Sequence, residues 1–385
     1  MKYKLKDIFD LQMGKTPSRN NIEYWNTKDF KWISISDLTK AHGYISETKE
    51  YISERAVSES GIKIIPANTV VMSFKLSIGK TAITSEDMYS NEAIMAFHDK
   101  HVVEILPEYI FYIFKYKKWD EDSNNAVMGK TLNKAILSEA EIEICSIEEQ
   151  RVIVDILDNM MSVLESRGTE LDLLDNLIKA RFVEMFENEI EYNKVKLEEI
   201  ADIVSGITKG RKTKCGELRE VPYMAVSNVK DGYIDWTTVK TILATEDEII
   251  QYKLLPDDVL MTEGGDPDKL GRGAIISLPP KDCIHQNHIF RVRLDETQIL
   301  PRYFAAYLQS SQAKTYFLRA AKQTTGIASI NMSQLRGLPT IVPPIELQLK
   351  YSLFSEQVDK SKVVVQKALD EAQILFDSLM QKYFG

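Results

Sequence analysis

The chain has 385 residues, 44% hydrophobic and 27% charged, a composition that excludes a fibrous or mostly disordered protein and allows two to three domains. With 48 basic against 57 acidic residues the formal net charge is −9, so bulk attraction to DNA or an acidic membrane is excluded and any nucleic-acid role needs local basic faces. Three scattered cysteines (Cys145, Cys215, Cys283) argue against a disulfide framework and a zinc site and fit a reducing cytoplasm; no apolar run suits a membrane span, and "MKYKLKDIFD" lacks a signal core.

In chain order, the first half opens with "YKLKDIFDLQMGKTP" from Tyr3. Strands are expected at "FKWISISDL" from Phe30 and at "NTVVMSF", and a helix at "PEYIFYIFKYKKW" from Pro107. From Ile147 a long proline-free stretch carries Leu157, Leu164, Leu171, Ile178 and Met185 every seven residues, with Met160 and Leu174 between. That is an amphipathic helix with an imperfect coiled-coil stripe, interrupted by Arg167 and Arg181 and weakened at Gly168.

The second half repeats this plan. "VKLEEIADIVSGITK" from Val195 places Leu197 over Leu5 and Gly206 over Gly14, an offset of 192. "VPYMAVSNV", "DDVLMTE", "GRGAIIS" and "NHIFRVRL" read as strands, and "PRYFAAYLQSSQAKTYFLRAA" as helical. "SIEEQ" at Ser146 recurs as "PIELQ" at Pro344, with an offset of 198 that holds to the end of the chain. A second long helix follows, with Val358, Val365, Ala372 and Leu379 in heptad rhythm and Ala368 and Leu375 between. Neither stripe can bury itself alone, so the two helices are expected to pack together as a rod of about 60 Å rather than each on its own half. The expected class is α+β, two pseudo-symmetric globular domains joined by two long helices in an antiparallel coiled coil. The boundaries are 1–145, 146–188, 189–343 and 344–385, in the order domain, helical region, domain, helical region.

Catalytic signatures are missing. The chain has no phosphate-binding loop, nucleophile elbow or H-E-x-x-H, and no carboxylate pair suited to acid–base work. No catalytic or metal-ligating residue is assigned. "EGGDPDKLGRG" (263–273) lies between two strands and not before a helix, so it reads as a loop presenting Lys269 and Arg272. Basic loops follow the shared glycine in each half: Lys15, Thr16, Ser18 and Arg19 in the first, Lys209, Arg211, Lys212 and Lys214 in the second. Lysine and arginine there suit phosphates, and arginine also suits guanine edges. Ser36 and Asn228 sit at matching strand ends, Lys75 and Lys80 in "MSFKLSIGK", and Asn91, Gln286 and Asn287 in matching segments. Asparagine and glutamine suit adenine edges, while turn capping is their ordinary use. Lys130, Thr131 and Thr324 precede the helix caps at Asn133 and Asn331. All twenty are candidate DNA contacts. Phe182, Phe186, Phe376 and Phe384 are candidates for a partner-docking surface, with burial in the core as the alternative.

Taken together, the "GKTP" opening with its "WISISDL", the "LLPDDVLMT" block with "GGD" and "KLGRG", and the two joints before long helices resemble specificity subunits of type I restriction–modification systems. The resemblance covers nearly the whole chain. It implies two target recognition domains, each reading half of a bipartite double-stranded DNA site, in a cytoplasmic subunit without catalytic activity. It implies as partners two modification subunits that methylate adenine, joined in the full complex by two restriction subunits. It places S-adenosylmethionine, ATP and magnesium on those partners, with no cofactor in this chain. The first half lacks the "GGDPDKLGRG" insertion, so the halves are expected to read different words. A pseudo-symmetric protein-interaction scaffold that touches no nucleic acid is the alternative; it leaves the matched basic loops idle.

Overall fold

The heptad stripes become two helices of 40 residues, Ile147–Phe186 and Ile345–Phe384. The computed structural model describes residues 1–25, 27–75, 77–119, 132–187, 192–211, 217–265, 270–324 and 327–385. They form two units, Met1–Gly168 with Lys367–Gly385, and Thr169–Gln366. Each unit therefore takes one half of each long helix. In the second unit Lys362 Nζ pairs with Asp175, the Arg181 guanidinium lies 5.6 Å from the Phe354 ring, and Phe182 meets Tyr351 edge-on at 5.5 Å. Rising numbers on one helix meet falling numbers on the other, which is the antiparallel coiled coil that the stripes require.

In the first unit a five-stranded sheet runs in the order Phe9–Met13, Ile94–Asp99, Val70–Ser73, Thr81–Thr84, Tyr44–Ile45. A three-stranded sheet sets Phe30–Ile33 between Glu50–Ile52 and Tyr89–Ser90, with Trp32 and Ile33 parallel to Tyr89 and Ser90. Lys2–Lys4 pairs with Glu141–Glu143, closing the unit in front of the first long helix. The second unit repeats this arrangement. Its four-stranded sheet runs Ala201–Ser205, Ile289–Leu294, Val259–Thr262, Gly273–Ile275. Arg219–Met224 lies between Lys240–Ala244 and Ile284–His285, with Tyr223 and Met224 parallel to Ile284 and His285, and Lys194–Lys196 pairs with Pro339–Ile341. The glycine-rich insertion lies between two strands as expected, linking Val259–Thr262 to its antiparallel neighbour Gly273–Ile275. Within it Gly264–Gly265 also pairs with Ile327–Ser329, which pairs in turn with Lys322–Thr324.

Each core closes on the long helices. Val154, Leu157, Phe376 and Met380 join Phe97, Tyr112 and Phe114 in the first unit; Phe182, Phe186 and Tyr351 join Tyr303 and Phe304 in the second. Burying such side chains contributes about 1.5–3 kcal/mol each. Phe182, Phe186 and Phe376 are thus core residues and not docking surface, and Phe384 is half-buried against Tyr109 at 5.6 Å. Leu375, placed in the seam by its spacing, is instead 50% exposed, because the adjacent Phe376 takes the inward position.

The two joints share one device. Gln150 is fully buried; its Oε1 accepts from Leu106 N at 2.9 Å, and its Nε2 donates to the carbonyls of Glu104 at 3.0 Å and Cys145 at 3.1 Å. Gln348 does the same, accepting from Leu300 N at 2.8 Å and donating to Gln298 O at 2.9 Å and Pro343 O at 2.8 Å. One amide thereby fastens the start of each long helix to the residue that caps an earlier helix, Pro107–Tyr116 or Pro301–Leu308.

Candidate nucleic-acid interface

The repeated glycine decides where each basic loop runs. A Cβ on Gly14 would lie 2.2 Å from Asn91 O and 2.3 Å from Ser90 Oγ, and one on Gly206 would lie 1.9 Å from His285 O. No larger residue permits so close a backbone approach. Lys15 N then donates to Ser90 O at 2.8 Å, and Ile207 N to His285 O at 2.9 Å. Each loop is thus laid beside the segment carrying Asn91 or Gln286, and that segment is tied to the end of the central strand. Asn91 N donates to Ile33 O at 3.1 Å, and Gln286 N to Met224 O at 3.0 Å. Three segments singled out in the sequence converge in each unit.

A strand aromatic also fixes each loop. Trp32 Nε1 donates to Lys15 O at 3.1 Å, and Tyr223 Oη donates to Ile207 O at 3.2 Å. Trp25 Nε1 adds a bond to Ser18 O at 3.1 Å. The arginines are engaged too. Arg19 grips Glu50 with both Nη atoms, Nη2 to Oε2 at 3.1 Å, and lies 3.8 Å over the Trp25 ring and 4.9 Å from that of Trp32. Arg211 grips Glu248 with Nε, at 2.6 Å, and Nη2, which also donates to Leu243 O at 3.3 Å. The hydrogen bond from Arg211 holds the Glu248 carboxyl below the usual carboxylate range, and the same bond raises the Arg211 guanidinium.

The other predicted residues vary in their surroundings. Lys15 is exposed, with Nζ on Ser60 O, and Thr16 donates to Glu92. That bond holds the Glu92 carboxyl low, helped by the charges of Lys75 and Arg19. Ser18, Ser36 and Lys209 are exposed; Lys75 is half-buried, with Nζ 5.4 Å from the Phe74 ring; Lys80 Nζ bonds Thr39 Oγ1 at 2.8 Å. Asn91 Oδ1 accepts from Ala93 N at 3.0 Å, and Gln286 Oε1 from Val226 N at 3.2 Å. Asn287 Nδ2 lies 3.3 Å from His288 Nε2, whose ring meets Glu263 through Nδ1 at 2.5 Å. Arg272 is half-buried, its Nε without a partner among the described residues. Lys130, Thr131, Lys212, Lys214 and Lys269 lie outside the described residues, as does the side chain of Thr324.

Asn228 requires a correction. It is fully buried, accepting from Ala225 N at 2.9 Å and donating to Asp235 O at 3.0 Å and Thr238 Oγ1 at 2.9 Å. Both ends of its amide are used inside the fold, so it caps a turn and offers nothing to a base edge. Asp37 does the same in the first unit, accepting from Ser34 N at 2.8 Å and Ser34 Oγ at 2.7 Å. That cap ends the strand at Ile33 and opens the helix Ile35–Lys40, where the alternation alone extends the strand to Leu38. The side chains that hold the loops (Trp32, Tyr223, Glu50 and Glu248) are missing from the sequence-predicted set. Their signal was the matching place of Trp32 and Tyr223 in "FKWIS" and "VPYMA".

The strand Ile289–Leu294 carries a charge network. Arg293 grips the buried Asp258 with Nε and Nη2, both at 2.8 Å, and Arg291 reaches Asp202 at 2.5 Å. Beside them His285 is fully buried, its Nδ1 3.1 Å from Ile289 O and its Nε2 without a partner among the described residues. Burial, with the Arg291 and Arg293 charges, pushes its pKa down to about 3, so it is neutral near pH 7.

These paired, loop-bearing units match a known family. The model described as "Type I restriction modification DNA specificity domain" matches twice, at residues 1–174 and 189–371. The chain belongs to the type I restriction–modification DNA specificity family. Members of that family are the non-catalytic recognition component of these systems, and this chain is accordingly a recognition subunit and not an enzyme. Among relatives, the type I restriction enzyme MjaIX specificity subunit of Methanocaldococcus jannaschii is 25% identical over 404 residues, covering 98% of this chain and 91% of its own. The EcoKI specificity subunit of Escherichia coli K12 is 22% identical over 263 residues, 63% of this chain and 56% of its own. The S subunit of M. genitalium shares the fold with a TM-score of 0.56 at 14% identity, over 100% of this chain and 96% of that one. A structure described for complex assembly and conformational transition of the type I R-M system gives 0.62 at 16% identity, over 100% and 97%.

Proposed function

We propose that this subunit reads a bipartite double-stranded DNA site in the cytoplasm, each unit taking one short word, and positions two modification subunits that methylate adenine there. Two restriction subunits join them in the full complex. S-adenosylmethionine, ATP and magnesium belong to the partners. The observation that supports this reading is the duplicated loop site. The same glycine contact and the same carbonyl-directed aromatic recur in both units, while side chains around the shared threonine differ: Lys15 and Ser18 in one, Ile207 and Gly210 in the other. One design with two chemistries suits two different words. Phosphate contacts from the loop lysines supply affinity, and base-edge contacts supply the words.

The helices offer surface for partners. In the second unit Leu349, Leu353, Val363 and Val364 are 51–70% exposed on one helix. At about 100° per residue they share a stripe about 100° wide. In the first unit Val152 and Val163 are 58% and 43% exposed on the other helix. None of the described helices is long and apolar enough to cross a membrane, so these stripes suit protein partners.

The test is a helical insertion. Adding four residues, about one turn, to the central helix should change the number of unread base pairs in the methylated site and leave both words intact. Methylome sequencing of cells carrying the variant and its partner subunits reads both. Altered words with an unchanged spacer would refute the proposal.

A further inference from the structure

The arginines of the two loops occupy the same place. Arg19 and Arg211 are both the fifth residue after the shared glycine, at the offset of 192 that also relates Gly14 to Gly206. Each is held by a carboxylate from the polypeptide that follows the central strand of the three-stranded sheet. Glu50 lies on the strand Glu50–Ile52, and Glu248 on the helix Glu246–Tyr252. Each loop is also fixed through the carbonyl just after its glycine, by Trp32 or Tyr223. Loop, arginine, carboxylate and aromatic recur as a set, although the residues between them do not.

A lone surface ion pair would mean little, since solvent screening and side-chain entropy leave such pairs almost no net effect. Here the carboxylates are themselves placed. Glu248 Oε2 accepts from Thr245 N at 2.9 Å in a helix cap, and its pair with Arg211 is only 22% and 18% exposed. Arg19 is pressed between Glu50 and the Trp25 ring. A guanidinium carries five donors in a rigid plane, so two bonds to one carboxylate fix which remaining edge faces outward. The two grips differ. Glu50 takes both Nη atoms and leaves the Nε edge of Arg19, whereas Glu248 takes Nε and Nη2 and leaves Nη1 of Arg211.

We propose that Glu50 and Glu248 are positioning residues that set which donor edge Arg19 and Arg211 present to DNA, and so determine the base each arginine selects. Trp32 and Tyr223 hold the loop from which each arginine projects. The inference rests on the reading that these loops face DNA. It adds that the specificity of each arginine resides in its partner carboxylate.

The full chain, combined with its modification subunits, is used to select duplexes from a randomised pool, and affinities are then measured on selected and single-base-changed duplexes. E248Q keeps the shape of the side chain and removes its charge; R211K keeps the charge and removes the fork; Y223F removes one hydroxyl. Each should lower discrimination at one position of one word about tenfold, leave the other word unchanged, and alter affinity for unrelated DNA less than twofold. E50Q and R19K should do the same for the other word. Equal midpoints of thermal unfolding establish that E248Q and Y223F fold, and R211K is the substitute if either does not. Unchanged discrimination in all variants overturns the proposal. So does an equal gain in affinity for every duplex on E248Q, which would make the carboxylate a mere mask over charge. A wild-type complex that selects no sequence at all overturns the DNA-reading function as well.

Discussion

Gln150→Ala tests whether the joint before the first long helix is built as described. The substitution removes an amide that makes three hydrogen bonds in a fully buried place, to Leu106 N, Glu104 O and Cys145 O. A buried polar group left without its partner costs about 1–3 kcal/mol, and the Leu106 amide has the least chance of finding another. The two carbonyls each keep a second lone pair, so the expected total is about 3–5 kcal/mol and not the simple sum. For a unit of this size each kcal/mol lowers the unfolding midpoint by about 2–4 °C, so a fall of about 6–20 °C is expected. Circular dichroism reads the midpoint, and hydrogen exchange reads the Leu106 amide, which should lose protection ahead of the sheet. Gln348 makes the same three bonds, so Gln348→Ala should cost the same within about 1 kcal/mol. A Gln150→Ala protein within about 0.5 kcal/mol of the parent, with the Leu106 amide still protected, would refute the reasoning.

Gly206→Ala drives a Cβ to 1.9 Å from a backbone carbonyl that cannot give way, so it should cost about 1–3 kcal/mol and abolish selection of one word only; a methylome unchanged in both words would contradict this. His285 links stability to pH. Its folded pKa of about 3 lies below the unfolded value near 6.5, so between these values the unfolded chain binds the extra proton. Stability should therefore fall on acidification through that window, by up to about 1.4 kcal/mol per pH unit, and His285→Asn should remove that component. Urea midpoints taken from pH 7.5 down to 5 check it, and equal slopes for both proteins would count against it.

The duplication and the long helices were legible because both leave periodic marks. Heptads set the helices, and offsets that stay between 190 and 198 set the repeat. The pairing of the two long helices is legible, since a stripe needs a partner; that half of each helix joins each unit is not, and the heptad misplaces Leu375 because it cannot say which of two adjacent apolar residues turns inward. Alternation carries the strand from Phe30 too far because it does not show a cap, although Ser34 and Asp37 have the capping spacing. Asn228 is ambiguous in sequence because its amide suits a base edge or a turn equally well, and only burial decides. The carboxylates that hold Arg19 and Arg211 lie 31 and 37 residues away along the chain, beyond the reach of any local pattern.

Unit one is assembled from two stretches separated by the whole of unit two, and this bears on its synthesis. Residues 169–366 form one uninterrupted run, but the first unit is incomplete until Lys367–Gly385 arrives. A ribosome therefore delivers the earlier-made lobe without one strip of its apolar cover, and Phe376 and Met380, which seal it, emerge only after the whole second unit. The second lobe can settle first, against the usual N-to-C order of synthesis. A premature stop near residue 366 would leave the N-terminal lobe with a permanently open seam, exposed to chaperones and proteases.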